Sequence, residues 1–351
     1  MLAVAGILFA ALPDGPRLVP RHATRLPPWA VTIEEVIMSP RLTVLYEHPE
    51  WQKPLWAALD RRGVAYSAFD LKQAAFDPDA LPRTPLYFNQ ASPSAYVRGN
   101  TRAVPLALSL MRSLELGGAR VLNGSRAFLL ELSKSAQAAL LAQLGIAHPR
   151  SLAFNDVAAA QAAWRGRWPA LVKPEQGGSG ARMFLLNAPE ELNRLLREQP
   201  SLWLPDNLLL LQEYFPVDPS RGIVRMEFLG GQLLYAMRVI SHGAFNLCPS
   251  EVCHPGDGGE SQCEIPTHKP VEFYPYPEVP AEAVAMGAKI VAAGGLDVAG
   301  IEYLESGDGR LIFYDINANS NLRAPIGAAF GFDPFERVVD FLLAEIASLG
   351  A

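Results

Sequence analysis

The stretch "AGIEYLESGDGRLIFYDINANSN", residues 299–321, decides the fold of this chain. Apolar residues lie on both sides of the turn "SGDG", which predicts two antiparallel strands that pair directly. Side chains alternate between the two faces of a strand, so Asp315 and Asn317 share a face. With the turn centred near Asp308, Glu302 lies nearly opposite Asp315.

Two carboxylates and an amide would therefore converge on one point of the sheet. Like charges this close repel each other unless a cation lies between them. Oxygen ligands suit Mg²⁺ or Mn²⁺, and Mg²⁺ usually completes its shell with substrate phosphates. The pattern predicts a metal site at Glu302, Asp315 and Asn317. The alternative is an exposed strand edge with solvated acids. Two roles stay open for Asn319 and Asn321, namely turn formation and contact with a substrate.

Composition excludes several classes of protein. The 351 residues are half hydrophobic and 19% charged, which is typical of a globular chain with two or three lobes. The formal net charge of -6 and the lack of a basic run argue against a nucleic-acid partner. No run of about 18 apolar residues is present, so we expect no membrane partner. Three cysteines are too few for a disulfide framework, which favours a cytoplasmic location.

The first 37 residues lack the pattern of the rest. An apolar run with no Lys or Arg before it leads into a Pro-rich basic segment, and the globular pattern begins after Met38. We interpret residues 1–38 as a disordered or mis-assigned extension, with a signal peptide as the alternative.

Three lobes follow. Residues 39–122 alternate strands with helices, which predicts a parallel sheet with helices on its faces. Residues 123–213 form an α+β lobe. Residues 214–351 form a second α+β lobe, which begins with a hairpin and contains a loop-rich insertion over residues 242–280.

A lysine and a glycine-rich run follow one another in "PALVKPEQGGSGA". Lys173 ends a predicted strand, and "QGGSG" occupies residues 176–180. Glycines let backbone N–H groups surround phosphate oxygens, which a lysine can also reach as a point charge. The run is neither a P-loop nor a dinucleotide fingerprint, and alone it suits a flexible hairpin loop. Lys134, which opens a helix, is a second candidate for phosphate contact, with a solvated lysine as the alternative.

The junction "LLLLQEYF" passes from an apolar strand directly into Gln212 and Glu213. Such a junction can offer backbone hydrogen bonds to adenine and a carboxylate to ribose, although a plain linker explains it as well. The segment 89–99 is a candidate wall of a substrate site. Arg98 could meet a substrate carboxylate there, with a solvated arginine as the alternative.

The insertion holds all the cysteines of the chain. They lie among histidines at residues 242, 254 and 268, and they are Cys248, Cys253 and Cys263. Zinc sites normally need two close ligand pairs, and no clean second pair follows here. We therefore interpret the insertion as a loop that shapes the acceptor site, rather than as a zinc site.

Taken together, these segments resemble the ATP-grasp superfamily, and most of all its RimK-type amino-acid ligases. The resemblance rests on Lys134, "LVKPEQGGSGA", "LLQEYF", "VRMEFLGGQLLYAMRV" and the opening stretch, in that order, and covers roughly residues 85–350. It implies a mixed α/β and α+β chain with the ATP-grasp fold. An N-terminal parallel-sheet lobe would be followed by two α+β lobes with ATP between them.

The resemblance implies ATP and Mg²⁺ (or Mn²⁺) as cofactors, and it assigns roles by position. Phosphate contacts fall to Lys134, Lys173 and a mobile loop of Gly177, Gly178, Ser179 and Gly180. Adenine contacts fall to Gln212, Glu213, Tyr214 and Phe215, with the ribose near Glu213 or Asp218. The metal ligands would be Glu302, Asp315 and Asn317. Neutralisation of the transferred phosphoryl group falls to Arg238 and Arg225, and a phosphate or metal contact to Asn246.

Two departures from the family pattern stand out. The family's metal set reads Asp and then Glu-x-Asn, whereas this chain has Glu302 and then Asp315-x-Asn317. The exchange keeps the charge and the oxygen count, so metal binding should survive. Ile223 stands where the family has an Asp, which puts the role of Arg225 in doubt.

The resemblance implies an ATP-dependent ligase that activates a carboxylate as an acyl phosphate for attack by an amine. Its partners would be a small-molecule carboxylate and an amine, such as an amino acid or a peptide, and a homo-oligomer is compatible with the sequence. The alternatives are a kinase that phosphorylates a hydroxyl, and a non-catalytic nucleotide-binding protein.

Overall fold

Parallel strands form the first sheet of the computed structural model, which describes residues 40–81, 83–178, 180, 182–241, 271–320 and 322–350. The strands are β1 (Leu42–Tyr46), β2 (Tyr66–Asp70), β3 (Leu86–Gln90) and β4 (Arg120–Leu122). Their order is β2-β1-β3-β4, and every pairing is parallel, as the alternation of strands and helices predicts. The connecting helices are α1 (Pro49–Arg61) and α2 (Ala103–Leu116).

The second sheet is antiparallel, and two helices precede it, α3 (Ser125–Leu132) and α4 (Lys134–Gln143). Its strands are β5 (Ser151–Phe154), β6 (Ala170–Pro174), β7 (Phe184–Leu186) and β8 (Leu209–Glu213), in the order β5-β8-β6-β7. Its helices are α5 (Val157–Ala163) and α6 (Glu190–Glu198). Because β6 pairs with β8, the strand that carries Lys173 lies beside the strand that ends in the predicted adenine-binding segment.

The third sheet is also antiparallel and has five strands in the order β11-β10-β9-β12-β13. These are β9 (Ile223–Leu229), β10 (Gln232–Ile240), β11 (Glu272–Pro275), β12 (Val298–Glu305) and β13 (Leu311–Asn317). The helices of this part are α7 (Ala281–Gly294), α8 (Ala324–Ala329) and α9 (Pro334–Ser348).

The third sheet is covered on both faces, and β9 shows how its side chains divide. Val224, Met226 and Phe228 join an apolar cluster with residues of α7 on one face. Ile223, on the other face, joins a cluster with residues of β1, α1 and α9. Arg225 shares the face of Ile223, so this alternation brings a charged side chain into the interior.

The sequence analysis missed two elements of the last lobe. Helix α8 was not predicted, and β11 lies inside the predicted loop-rich insertion, where it pairs with β10 at the sheet edge. Four residues ending in Pro275 give little periodic signal, and proline within sheets is confined largely to edges. Several predicted features lie outside the described residues. They are residues 1–39, Ser179, the cysteines and Asn246 within residues 242–270, and Asn321.

From Pro40 onward the chain forms one compact unit, so the predicted lobe boundaries at residues 122 and 213 stay predictions. Within the described part, every helix is too short or too polar to cross a membrane.

Candidate active site

Two acidic side chains face each other across the hairpin of β12 and β13. Glu302 pairs with Asp315, which confirms the predicted register. A register irregularity beside Glu302 also brings Tyr314 within reach, and its hydroxyl donates to Glu302 Oε2 over 2.9 Å. Ile316 is 1% exposed and points into the core, so Asp315 and Asn317 share the opposite face as predicted.

Arg225 on β9 lies beside Glu302 and neutralises its carboxylate. Its Nη1 donates to Glu302 Oε1 over 2.8 Å, and its Nε donates to Glu227 Oε1 over 2.6 Å. The guanidinium lies against Gly300, where an added Cβ would approach a guanidinium nitrogen to 2.2 Å, so this close approach requires glycine. Burial opposes the charge, but Glu227 and Glu302 outweigh it and raise the pKa of Arg225.

Lys134 reaches the same face of the third sheet from the start of α4. Its ammonium group forms an ion pair with Asp315. One turn later, Gln137 Nε2 donates to the carbonyl of Ile316 over 2.9 Å, and its Oε1 accepts from the Ile316 N–H over 3.1 Å. Because β13 is an edge strand, these bonds satisfy backbone groups that lack a strand partner, and they hold Lys134 over Asp315.

The two facing carboxylates have opposite pKa shifts. Burial raises the pKa of Glu302, and the neighbouring charge of Asp315 raises it further. Burial acts in the same direction on Asp315, but the Lys134 ammonium outweighs it and holds the pKa of Asp315 below its usual value. Asp315 is therefore a carboxylate at neutral pH, and its charge is balanced by Lys134.

The donor set of the hairpin fits a divalent metal that arrives with phosphates. Glu302 and Asp315 supply carboxylate oxygens; Asn317 donates through Nδ2 to Asp315 and to the carbonyl of Gly300, which leaves its amide oxygen as the atom suited to a metal. Hard oxygen donors suit Mg²⁺ or Mn²⁺. The described residues contain no group of three or more His, Cys, Asp or Glu side chains placed to hold a metal. Phosphate oxygens would therefore have to complete the shell.

A cavity of about 150 Å³ lies between the second and third sheets. It brings together most of the residues predicted to bind nucleotide or metal, namely Lys134, Lys173, Gly177, Gly178, Gly180, Gln212, Glu213, Tyr214, Phe215, Glu302 and Asp315. Apolar side chains complete its walls, among them Leu171, Met183, Ile223 and Leu304. We call it the nucleotide cavity, because an apolar slot with two lysines and a glycine-rich loop at one end suits a purine nucleotide.

Lys173 is buried in the nucleotide cavity, where its ammonium donates to Gln212 Oε1 over 2.9 Å. Gln212 in turn donates through Nε2 to the Ser151 hydroxyl over 2.9 Å, which fixes the amide. Burial lowers the pKa of Lys173 to about 8, and the nearby charge of Lys134 acts in the same direction. The charge of Lys173 is therefore lost as the pH rises through about 8.

This shift predicts a pH-dependent affinity for ATP. On the expectation that this cavity binds ATP, the ammonium of Lys173 would attract phosphate below about pH 8 and lose that attraction above it, so ATP affinity should fall by about tenfold between pH 7 and 9.5. Lys173→Arg stays charged over this range and should bind ATP with little pH dependence. Calorimetric titration at several pH values measures both curves. Lys72→Arg, on the first sheet's surface, should retain the wild-type curve.

The glycine-rich loop packs against the first lobe. A Cβ added at Gly178 would lie 2.6 Å from the Cβ of Ser94, so only glycine permits this approach. Gln176 Nε2 donates to the carbonyl of Pro93 over 3.3 Å. Both partners belong to residues 89–99, so the predicted substrate wall meets the predicted phosphate loop.

A second cavity of about 140 Å³ continues from the first. We call it the acceptor cavity. The two cavities share Lys134, Gly177, Gly178, Gly180, Glu302 and Asp315. The other walls of the acceptor cavity are Trp51, Ser92, Pro93, Ser94, Glu131, Arg225, Met237, Val239, Phe273, Asn317, Asn319 and Arg323. Charged groups thus form the boundary between two neighbouring binding spaces.

Comparison with known proteins identifies the fold. No protein-family model matches the sequence, and no curated protein matches it. Solved structures do match. The ATP-grasp ligase PsnB in complex with a minimal precursor, Mg and ADP is 18% identical, with 88% of this chain and 98% of that chain covered and a TM-score of 0.59.

Two other solved structures match over similar lengths. The RimK domain ATP-grasp protein from Sphaerobacter thermophilus is 18% identical, with 86% of this chain and 98% of that chain covered and a TM-score of 0.61. The D-alanine–D-alanine ligase from Bacillus anthracis is 12% identical, with coverages of 89% and 98% and a TM-score of 0.61. The chain has the ATP-grasp fold. At these identities the likeness concerns the fold.

Within this ATP-grasp fold, Arg238 does not join the other predicted site residues. It pairs with Val224, on the face of the sheet opposite Arg225. Its guanidinium donates to the carbonyl of Arg221 over 3.1 Å and to Glu305 over 3.2 Å. In the described part of the chain, it lines neither the nucleotide cavity nor the acceptor cavity. The structure therefore does not bring Arg238 to either cavity, where the predicted contact with a phosphoryl group would have to be made.

A β-bulge explains the position of Arg238. The register of β10 against β9 shifts between Leu233 and Tyr235, so β10 gains one residue relative to its partner. One extra residue moves every later side chain to the other face of a strand. Met237 and Val239 consequently line the acceptor cavity, and Arg238 lies between them on the opposite face of the sheet.

Two further predicted residues have other partners. Asp218 is exposed and accepts hydrogen bonds from the backbone N–H and hydroxyl of Ser220, so the structure does not bring it to the nucleotide cavity. Arg98 forms a buried ion pair with Glu47 and lies over the ring of Trp51, rather than being solvated or lining the acceptor cavity.

Sequence reasoning missed several residues of the site. Glu175 follows β6 and accepts from the Ser135 N–H over 3.0 Å, which caps the helix that begins at Lys134. Glu131 and Arg323 line the acceptor cavity, but neither belongs to a recognisable motif. The position of Glu175, between "KP" and the glycine-rich run, is a sequence signal that could have identified it. Asn319, left open above, lines the acceptor cavity and donates to the Gln90 carbonyl over 2.8 Å.

Proposed function

We propose that the protein is an ATP-dependent ligase that joins a carboxylate to an amine through an acyl phosphate. The observation that carries this proposal is the shared boundary of two cavities at Lys134, Glu302, Asp315 and the glycine-rich loop. A ligase must hold ATP on one side of the transferred phosphoryl group, and the carboxylate and the amine on the other. Two cavities that meet at charged groups suit that requirement.

In the nucleotide cavity, we assign the adenine to the apolar walls and to the strand end at residues 212–215. Lys173 and Lys134 then bind phosphates, and the backbone of Gly177 and Gly178 closes over them. Phosphoryl transfer depends mainly on positioning and on charge stabilisation, which these cations supply.

We assign Mg²⁺ or Mn²⁺ to Glu302, Asp315 and Asn317, and the presence of Mg and ADP in the PsnB structure supports the choice of Mg²⁺. When bound, such an ion neutralises the phosphate oxygens during transfer. Arg225 holds Glu302 in position through its bond to Oε1, and Lys134 holds Asp315 through their ion pair.

The acceptor cavity would hold the carboxylate and the amine. This proposal is supported by solved structures of the same fold, among them PsnB in complex with a precursor peptide and the D-alanine–D-alanine ligase from Bacillus anthracis. An acyl phosphate hydrolyses in water, so the cavity must exclude solvent. The contact of Gly178 with Ser94 closes its wall at the glycine-rich loop.

ADP release tests the proposal. The purified protein, with Mg²⁺ and ATP, is mixed with a panel of amino acids and short peptides, singly and in pairs, and the product mass is measured. We expect ADP release that requires a carboxylate and increases with an amine, and a product whose mass equals the two substrates less one water. A stable phosphorylated product would support the kinase alternative. ADP release that never depends on a carboxylate would contradict the ligase.

A further inference from the structure

Glu131 is a buried carboxyl group in the acceptor cavity that the reaction as described leaves unused. It lies near the end of α3, is 4% exposed, and lines the cavity with Ser94 and Gly178. Its Oε2 has no hydrogen-bond partner among the described residues. A buried carboxyl oxygen without a partner costs free energy, so such an atom beside a substrate cavity indicates a missing ligand.

The other acids of the acceptor cavity are already engaged. Glu302 accepts from Arg225 and Tyr314, and Asp315 pairs with Lys134. Among the carboxyl groups that line this cavity in the described part of the chain, Glu131 is therefore the one with an oxygen that accepts no hydrogen bond.

We propose that Glu131 removes a proton from the amine that enters the acceptor cavity, an inference that rests on the proposed ligase function. The amine arrives as an ammonium ion and gives one proton to the Glu131 carboxylate, which frees the nitrogen lone pair. The nitrogen forms a bond to the carbonyl carbon of the acyl phosphate, and the bond from that carbon to the phosphate oxygen breaks. The departing phosphate takes that electron pair and a second proton from the nitrogen, and Glu131 returns its own proton to solvent.

The surroundings of Glu131 suit a base for this task. Burial raises its pKa to about 8, although the charge of Lys134 on α4 lowers it. The backbone N–H of Asn319 and the charge of Arg225 on β9 also lower the pKa, and Asp315 on β13 raises it. Free α-amino groups titrate near about 7.7–8.0, and proton transfer is most effective between groups of matched pKa.

Glu131→Gln tests the proposal with two nucleophiles. ADP release is measured with the carboxylate and amine that react fastest in the panel, and again with hydroxylamine in place of the amine. Hydroxylamine is largely unprotonated at neutral pH and needs no base to free its lone pair. We expect the amine-dependent rate to fall by about 100-fold or more, and the hydroxylamine-dependent rate to change little.

Two controls separate chemistry from structure. Unchanged ATP affinity in Glu131→Gln shows that the nucleotide cavity is intact, and Glu131→Asp should restore part of the amine-dependent rate. Equal losses of rate with both nucleophiles, or no loss with either, would overturn the proposed role of Glu131 and leave the ligase proposal unaffected. If the wild-type protein releases no ADP with any member of the panel, the ligase proposal fails, and this inference fails with it.

Discussion

Asp315→Asn is expected to lower ATP turnover by at least about 100-fold while the secondary structure is retained. Asparagine keeps the shape of the side chain but lacks the charge that balances Lys134 and that a divalent ion would need. Glu302 cannot replace that charge, because Arg225 already pairs with it. Steady-state ADP release and circular dichroism measure the two expectations. Turnover close to that of the wild type would show that the metal assignment is wrong.

Stability must be separated from chemistry in that experiment. Removal of Asp315 leaves the largely buried ammonium of Lys134 without its partner. Breaking a fully buried ion pair costs about 3–5 kcal/mol, and because 22% of the Asp315 side chain is exposed we expect a smaller cost. The double variant Lys134→Met with Asp315→Asn should recover thermal stability but not turnover. Asp308→Asn, in the exposed turn before β13, makes the same chemical change and should leave turnover unchanged.

Arg225→Lys and Arg238→Lys should differ sharply, although both residues lie in one hairpin. Arg225 holds Glu302 from inside the acceptor cavity, and lysine cannot form its separate bonds to Glu302 and Glu227. Loss of a group that positions a metal ligand typically costs about 10–100-fold in activity, and we expect that loss at residue 225. Arg238→Lys, on the other face of the sheet, should retain wild-type turnover.

The pair of variants also tests the bulge in β10. If Arg238→Lys lost as much turnover as Arg225→Lys, Arg238 would have to reach the site, and the register of β10 would be wrong. Unfolding curves measured for both variants show whether a loss of turnover reflects a loss of stability. Removing the hydrogen bonds of Arg225 should destabilise the protein by on the order of 1–3 kcal/mol, since Glu227 is completely buried.

Local patterns account for most of the secondary structure. The strands and helices of the parallel sheet follow from apolar periodicity and from turn residues such as Gly63 and Gly118, signals that act within about ten residues. β11 was not predicted, because an edge strand of four residues that ends in proline has no such signal. The facing of Glu302 and Asp315 was predictable for the same local reason, because one short turn joins their strands.

The acceptor cavity could not be predicted in this way. Ser94, Glu131 and Arg323 come from three separate segments, and only packing of the first sheet, α3 and the start of α8 brings them together. No residue spacing in the chain predicts that these three side chains lie together, because the contacts are made between elements rather than within them. The unpartnered oxygen of Glu131 is likewise a property of its neighbours and not of its sequence context.

The ordered motifs of the chain were thus enough to indicate the ATP-grasp fold through a resemblance, and the local pattern placed Glu302 opposite Asp315 at a candidate site. The tertiary structure alone decided which charged side chains reach that site. Arg225 and Arg238 look equivalent in the sequence, yet one added residue in β10 turns them to opposite faces of the sheet. The face of a strand depends on its pairing with its neighbour, and a β-bulge changes that pairing without changing the local pattern.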